Sequence, residues 1–338
     1  CCFTFADEFA ESSTTLGGYG ELHWDMEGEE MDFHRFIFYI KHNFNDQWSM
    51  MSEVEIEHNM VYSDGSDDAD AGYLAMEQAF LNYWNGTWGF QGGVLLVPAG
   101  VTNEYHEPPT FMSVERPEYN KQIIPTTWFD NGFAFYGTLG GVNWKYSMTG
   151  DLNGDGIGKG IRSARDKGVS STTTDWTRTM QLSWAGMEGL KVGGSVTMND
   201  APVSATHVNG GEAIGVTLTE MNATYSKNNM YARMEYGTID YENNWLDTTN
   251  DGNADYEVES SSGYYLDLGY NVADMVGCDG DLYVWTRTSE YNKDDADAAT
   301  EISLFGVTFK PIDNIAIKFE TGEKDGSDMM KMGLGYNF

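Results

Sequence analysis

The sequence predicts an all-β fold, a transmembrane antiparallel β-barrel of about sixteen strands. Three observations carry this. Apolar and polar residues alternate with a period of two along run after run, as in a strand with one apolar face. The connections between runs alternate between short and long. No uncharged apolar stretch approaches the roughly 20 residues a membrane helix needs, and the mean hydropathy is -0.45. A barrel hides from hydropathy because lipid-facing and lumen-facing residues take turns along each strand. The 20 Tyr and 10 Trp suit membrane interfaces, and only 7 Pro leave the ladders intact.

The first strand runs from about Leu16 to Met26, with Tyr19, Glu21, His23 and Asp25 opposite Gly20, Leu22 and Trp24. The second, Phe33 to His42, sets Phe36, Phe38 and Ile40 against Arg35 and Lys41 and turns over Asn43 to Asp46. The third, Trp48 to His58, puts Glu53, Glu55 and Glu57 on one face and Met50, Val54 and Ile56 on the other. Three acids in a row are costly toward lipid, so they are expected to point inward. The fourth, Tyr73 to Trp84, closes at Asn85-Gly86, a strong hairpin signal, and the fifth spans Thr87 to Val97.

A connection from Pro98 to Pro125 separates these from strands at about Thr126 to Leu139 and Val142 to Thr149, which meet at Gly140-Gly141. A loop from Asp151 to Thr174 precedes strands at about Asp175 to Trp184 and Leu190 to Met198. The next pair, near Ala213 to Tyr225 and Met230 to Ile239, meets at Lys227 to Asn229. A loop from about Asp240 to Ser260 leads to strands near Gly263 to Asn271 and Asp281 to Tyr291. The last three are Glu301 to Lys310, Ile315 to Thr321 and a strand ending at Phe338. Every long connection then falls on one side of the barrel. Residues 1–15 are expected to form a periplasmic N-terminal segment and 16–338 the barrel.

In the final strand Met330, Met332, Leu334, Tyr336 and Phe338 share one face, and Lys331, Gly333, Gly335 and Asn337 the other. This resembles the terminal signal of bacterial outer-membrane barrels, with Lys331, Gly333, Tyr336 and Phe338 in its slots. The run Phe33 to Asp46, the segment Ser52 to His58, the connection Leu95 to Pro117 and the segment Ile123 to Trp128 resemble the phosphate-selective-porin-like (porin O/P) family of Gram-negative porins. The resemblance is clearest over residues 16–148 and at the C-terminus. It implies a sixteen-stranded, trimeric, multi-pass barrel in the bacterial outer membrane, surrounded by its lipid. It further implies that the third external loop, residues 98–125 here, folds into the lumen as a constriction.

The chain has 53 acidic and 19 basic residues and a net charge of -34. Phosphate binding needs clustered Lys and Arg, so a nucleic-acid partner is not expected. Nor is the family's anion selectivity, which needs a lumen rich in those residues. The expectation is passive diffusion of small hydrophilic solutes and ions with a cation bias. The candidate pore residues are Glu53, Glu55, Glu57, Arg35, Lys41, Arg233 and Arg287 on the wall. The inserted loop adds Glu104, His106, Glu107, Glu115 and Arg116. Acids on the loop facing bases on the wall would set a transverse field across the constriction.

Two loops read as calcium sites, with oxygens at alternate positions around a glycine. One is Asp151, Asn153 and Asp155; the other is Asp247, Asp251, Asn253, Asp255 and Glu257. In each, the twelfth position lacks the bidentate glutamate of an EF-hand, being Arg162 and Val258. Asp64 to Asp70 is a looser third case. The other reading of the chain is a non-conducting, calcium-bound structural or surface-interaction barrel, such as an adhesin or phage receptor. The six histidines are scattered without a matching serine motif or a zinc-spaced Cys/His set, so no enzyme is expected. An oxidising periplasm would permit a bridge among Cys1, Cys2 and Cys278.

Overall fold

A computed structural model describes residues 13–58, 72 and 74–338. Sixteen antiparallel strands close into one barrel. In chain order they are β1 (Ser13–Asp25), β2 (Glu30–Asn43), β3 (Trp48–Glu57), β4 (Leu74–Trp84), β5 (Trp88–Leu96), β6 (Phe129–Leu139), β7 (Val142–Thr149) and β8 (Thr177–Met187). Then come β9 (Leu190–Ala201), β10 (Ile214–Lys227) and β11 (Met230–Glu242). The pair β12 (Trp245–Leu246) and β13 (Tyr256–Glu257) forms a separate two-stranded sheet in the following loop. The barrel resumes with β14 (Ser260–Asn271), β15 (Asp281–Asn292), β16 (Thr300–Ile312), β17 (Ile315–Lys324) and β18 (Ser327–Asn337). It closes through β1 on β18, with Tyr19 opposite Asn337 and Asp25 opposite Lys331. Closure leaves no unpaired sheet edge, which is what lets strands cross a bilayer.

The alternation sorts the two faces. Leu81, Phe133, Phe135, Leu182, Met221, Met234, Phe305 and Leu334 are exposed on the outside, an apolar band for lipid. Trp48, Tyr83 and Trp88 touch in series with ring centres 5.0 and 5.7 Å apart, as in the aromatic girdle of a membrane interface. Glu21, Glu53, Glu55, Glu235, Asp267 and Glu320 are buried on the lumen side.

The hairpins follow their turn chemistry. Asn85 Oδ1 accepts from the Thr87 and Trp88 amides, and Gly86 has φ 95°. Gly140 and Gly141 have φ 60° and 83°, a pair of left-handed residues that two-residue hairpins favour. The connection at 272–280 is the longest on this side and carries a single helical turn, α3 (Ala273–Val276). Long connections occupy the opposite rim, with short ones at 26–29 and 325–326 among them.

Strand ends shift by a few residues from expectation. The segment expected to precede the barrel begins β1 at Ser13, so Ser13 to Thr15 belong to the wall; residues 1–12, with Cys1 and Cys2, lie outside the described residues. The expected start of the fourth strand at Tyr73, and the Asp64 to Asp70 loop, also lie outside them.

Two of the long connections turn inward. Residues 97–128 carry α1 (Val101–Glu104) and α2 (Tyr119–Gln122) and are largely buried in the lumen. Residues 150–176 follow, with Leu152, Ile157, Ile161 and Ala164 joining Val97, Tyr119, Ile123, Ile124 and Trp128 in one apolar cluster.

Candidate functional site

The loop 97–128 has only short helical turns of its own, so much of its backbone needs partners elsewhere. The wall supplies them. Glu235 on β11 accepts from the amides of Val101 and Thr102, the Thr102 hydroxyl and Asn120 Nδ2. Glu320 on β17 accepts from the Val114 amide at 2.7 Å. Lys318 donates to the Ser113 carbonyl at 2.6 Å, Lys310 to the Pro109 carbonyl at 2.7 Å, and Thr308 to the Met112 carbonyl at 2.6 Å. Wall glycines make the room: a Cβ on Gly335 would overlap Pro108, and one on Gly333 would lie 2.8 Å from Val114.

Side-chain charges meet across the same seam. Glu104 lies 3.7 Å from Lys145 of β7, Glu115 2.5 Å from Lys331 of β18, and Glu118 3.5 Å from Lys324 of β17. Burial alone would raise the Glu115 carboxyl, but the ammonium of Lys331 beside it holds it below the usual range.

On the external side of this loop is a cavity of about 280 Å³. Six cations line it: Arg35 from the wall, Arg116 and Lys121 from the third loop, and Arg162, Arg165 and Lys167 from the fourth. Four carboxylates, Glu21, Glu57, Glu115 and Glu118, share the lining. Six of the chain's 19 basic residues therefore gather in one vestibule of a chain with net charge -34. Arg35 is held by Glu21 at 2.6 Å, Glu55 at 2.9 Å and Glu57 at 3.7 Å. Arg162 donates to the Thr126 carbonyl, and Arg165 to the carbonyls of Pro125 and Thr127. On the other side of the loop, cavities are lined by Lys41, Glu53, Glu104, Tyr105, Glu107 and Lys145, and by stacked Trp84 and Tyr136.

Solved structures of this shape are outer-membrane channels. The Salmonella typhi OmpF in complex with daunomycin matches with a TM-score of 0.64, 12% identity and 97% coverage of each chain. The chain has the porin fold. The anion-selective porin of Comamonas acidovorans follows at TM-score 0.62 and 12% identity, covering 97% of this chain and all of that one. The outer-membrane channel DcaP of Acinetobacter baumannii gives 0.60 and 11% over 97% of each. An uncharacterised protein of Aquifex aeolicus (strain VF5) is 28% identical over 345 residues, 94% of this chain and 77% of that protein. No family model matches.

Within this porin fold the expected pore residues separate into groups. Glu53 accepts from Gln78 and faces His106, whose Nε2 is 3.7 Å from it. Glu55, Glu57 and Arg35 form one ionic knot with Glu21. Arg287 is bidentate to Asp267 at 2.6 and 2.7 Å and reaches Ser113 of the loop. Arg233 is buried beside Tyr231 and Tyr265, with Nε and Nη1 lacking hydrogen-bond partners. Arg116 donates to the His106 carbonyl and to the Tyr19 hydroxyl. Lys41 and Glu107 border the periplasmic-side cavity. Acids of the loop meet bases of the wall in the close pairs Glu104–Lys145, Glu115–Lys331 and Glu118–Lys324.

The oxygens expected to hold calcium also accept hydrogen bonds from the protein. Asp151 accepts from Thr172, Thr174, Asp175, Trp176 and Asn199. Burial would raise its carboxyl, and those donors hold it below the usual range. Asn153 accepts from the Asp155 amide, and Asp155 from the Ser204 amide. Asp247 accepts from the Asp251 and Gly252 amides, Asp251 from Asn253, and Asp255 from Thr248 and Thr249. Glu257 sits in β13. Asn153 and Asp251 each accept from the amide two residues on, which makes an Asx turn in each loop.

Proposed function

We propose that the chain is an outer-membrane porin that passes small hydrophilic solutes and ions by passive diffusion, most simply as a homotrimer. The observation that carries this reading is the third loop, held across the lumen by wall side chains with charged cavities on both sides. The likeness to an anion-selective porin, to an outer-membrane channel and to a trimer form of the Vibrio cholerae outer-membrane protein OmpT supports it. The ion preference comes from two opposed layers. Acids exposed on the outer rim, such as Asp251, Asp295 and Asp325, concentrate cations at the mouth. The vestibule beneath carries six cations against four carboxylates. The net bias is cationic and shallow.

Single-channel recording of purified protein in a planar bilayer under a salt gradient tests this. Steady conductance with a small cation-selective reversal potential is expected. Strong anion selectivity would overturn the two-layer account of charge. Absence of conductance from properly folded protein would overturn the porin reading and favour a non-conducting surface-interaction barrel.

A further inference from the structure

One cluster buried between the third loop and the wall holds a carboxyl group with no hydrogen-bond partner. Glu53 lies on β3 and Glu77 on β4, where the register slips: Glu53 pairs with Gln78 but Val54 with Met76. That bulge leaves Glu77 without a cross-strand partner and re-aims its side chain, as bulges do. His106 of the loop completes the set. The three residues are 1%, 0% and 3% exposed, and one ligand atom from each lies within 4.8 Å of the others.

The hydrogen bonds fix the chemistry. His106 Nδ1 is 3.0 Å from the Asn103 carbonyl, which can only accept, so Nδ1 carries a proton and donates. This is the outer-shell contact that orients a metal-binding imidazole with Nε2 as its ligand atom. Nε2 then faces Glu53 at 3.7 Å and Glu77 at 3.9 Å. Both gaps are too long for hydrogen bonds. Both are shorter than two metal–ligand bonds of about 2.0–2.2 Å placed end to end. The other oxygen of Glu53 is oriented by Gln78. Neither oxygen of Glu77 has a hydrogen-bond partner, and Thr127 approaches it without reaching that geometry.

We propose that Glu53, Glu77 and His106 bind one divalent transition-metal ion that clasps the third loop to the barrel wall. Two carboxylates and a dication sum to zero charge, whereas two carboxylates and an imidazolium leave one negative charge in a dry site. Two carboxylates with one imidazole suit zinc, manganese or ferrous iron. The adjoining cavity, which Glu53 and His106 help to line, provides the entry path. The site acts on the position of the loop and stands independently of what the channel passes.

A second convergent set, Asp32, His34 and His58, lies at the external vestibule with both imidazoles already 2.9 Å from Asp32. The test is therefore run in an Asp32→Asn background. Purified protein is stripped with chelator, loaded with zinc, passed through a sizing column and assayed for metal by mass spectrometry. The Asp32→Asn protein is expected to retain one zinc per chain. Adding Glu77→Gln, or His106→Ala on the loop alone, is expected to weaken retention at least about tenfold. Heat-resistant migration on gels verifies that each barrel is folded, and the loop variant leaves the wall untouched. Zinc kept at one per chain by both double variants, or no zinc bound by the Asp32→Asn protein, overturns the proposal.

Discussion

Arg287 and Asp267 face each other on β15 and β14 with almost no exposure. Removing one partner of such a pair strands the other in a dry site and costs about 3–5 kcal/mol, whereas replacing both with apolar groups is far milder. Arg287→Met is expected to lower unfolding stability by that amount, and Arg287→Met with Asp267→Leu to recover most of it, read by guanidinium unfolding in lipid vesicles. Asp151 gives a pH prediction. Its folded-state carboxyl titrates below the ordinary value, so the stability it adds is full above about pH 3.9. That stability is lost as pH falls through the lower folded value. Hydrogen exchange at residues 174–176, whose amides it caps, is expected to stay protected at pH 5 and open under acid; Asp151→Asn should flatten this dependence. Single residues were partly legible. Alternation alone turned Glu53, Glu55 and Glu57 inward. It could not show that Glu55 and Glu57 share Arg35 while Glu53 faces His106, because those pairings depend on register and on a loop far away in sequence.

At the scale of elements, strands were more legible than loops. A strand with one face in lipid states its period directly, and Asn85-Gly86 or Gly140-Gly141 states its own turn. The third loop announces its length but not its path, since its anchors are wall side chains on many strands, among them β7, β11, β15, β16, β17 and β18. The fourth loop carries the Asp151 to Asp155 calcium pattern at its start. Its signal for inward packing was present in Leu152, Ile157 and Ile161, three large apolar residues in a stretch expected to face water. Gly335 tests the seating of the third loop. Gly335→Val collides with Pro108 and is expected to displace the loop without opening the barrel. Faster proteolysis within 97–128 with unchanged heat-resistant gel migration is the outcome to look for.

For the whole molecule, charge is segregated. A net charge of -34 coexists with a vestibule that gathers six of 19 basic side chains, so net charge alone is a poor guide to what the passage favours. The two layers answer differently to salt. Exposed rim acids are screened beyond about 10 Å at 0.1 M and about 3 Å at 1 M, while enclosed vestibule charges are screened less. Cation selectivity is therefore expected to be greatest at low ionic strength and to shrink, then approach neutrality, near 1 M. A reversal potential independent of salt would contradict this.

The wall holds the third loop's main chain through Glu320, Lys310, Lys318, Thr308 and Glu235. A peptide group is the same whatever side chain it carries. The frame of the passage is thus written in the barrel, and its furniture in the loop. Substitutions that change what lines the opening can accumulate without moving the opening itself.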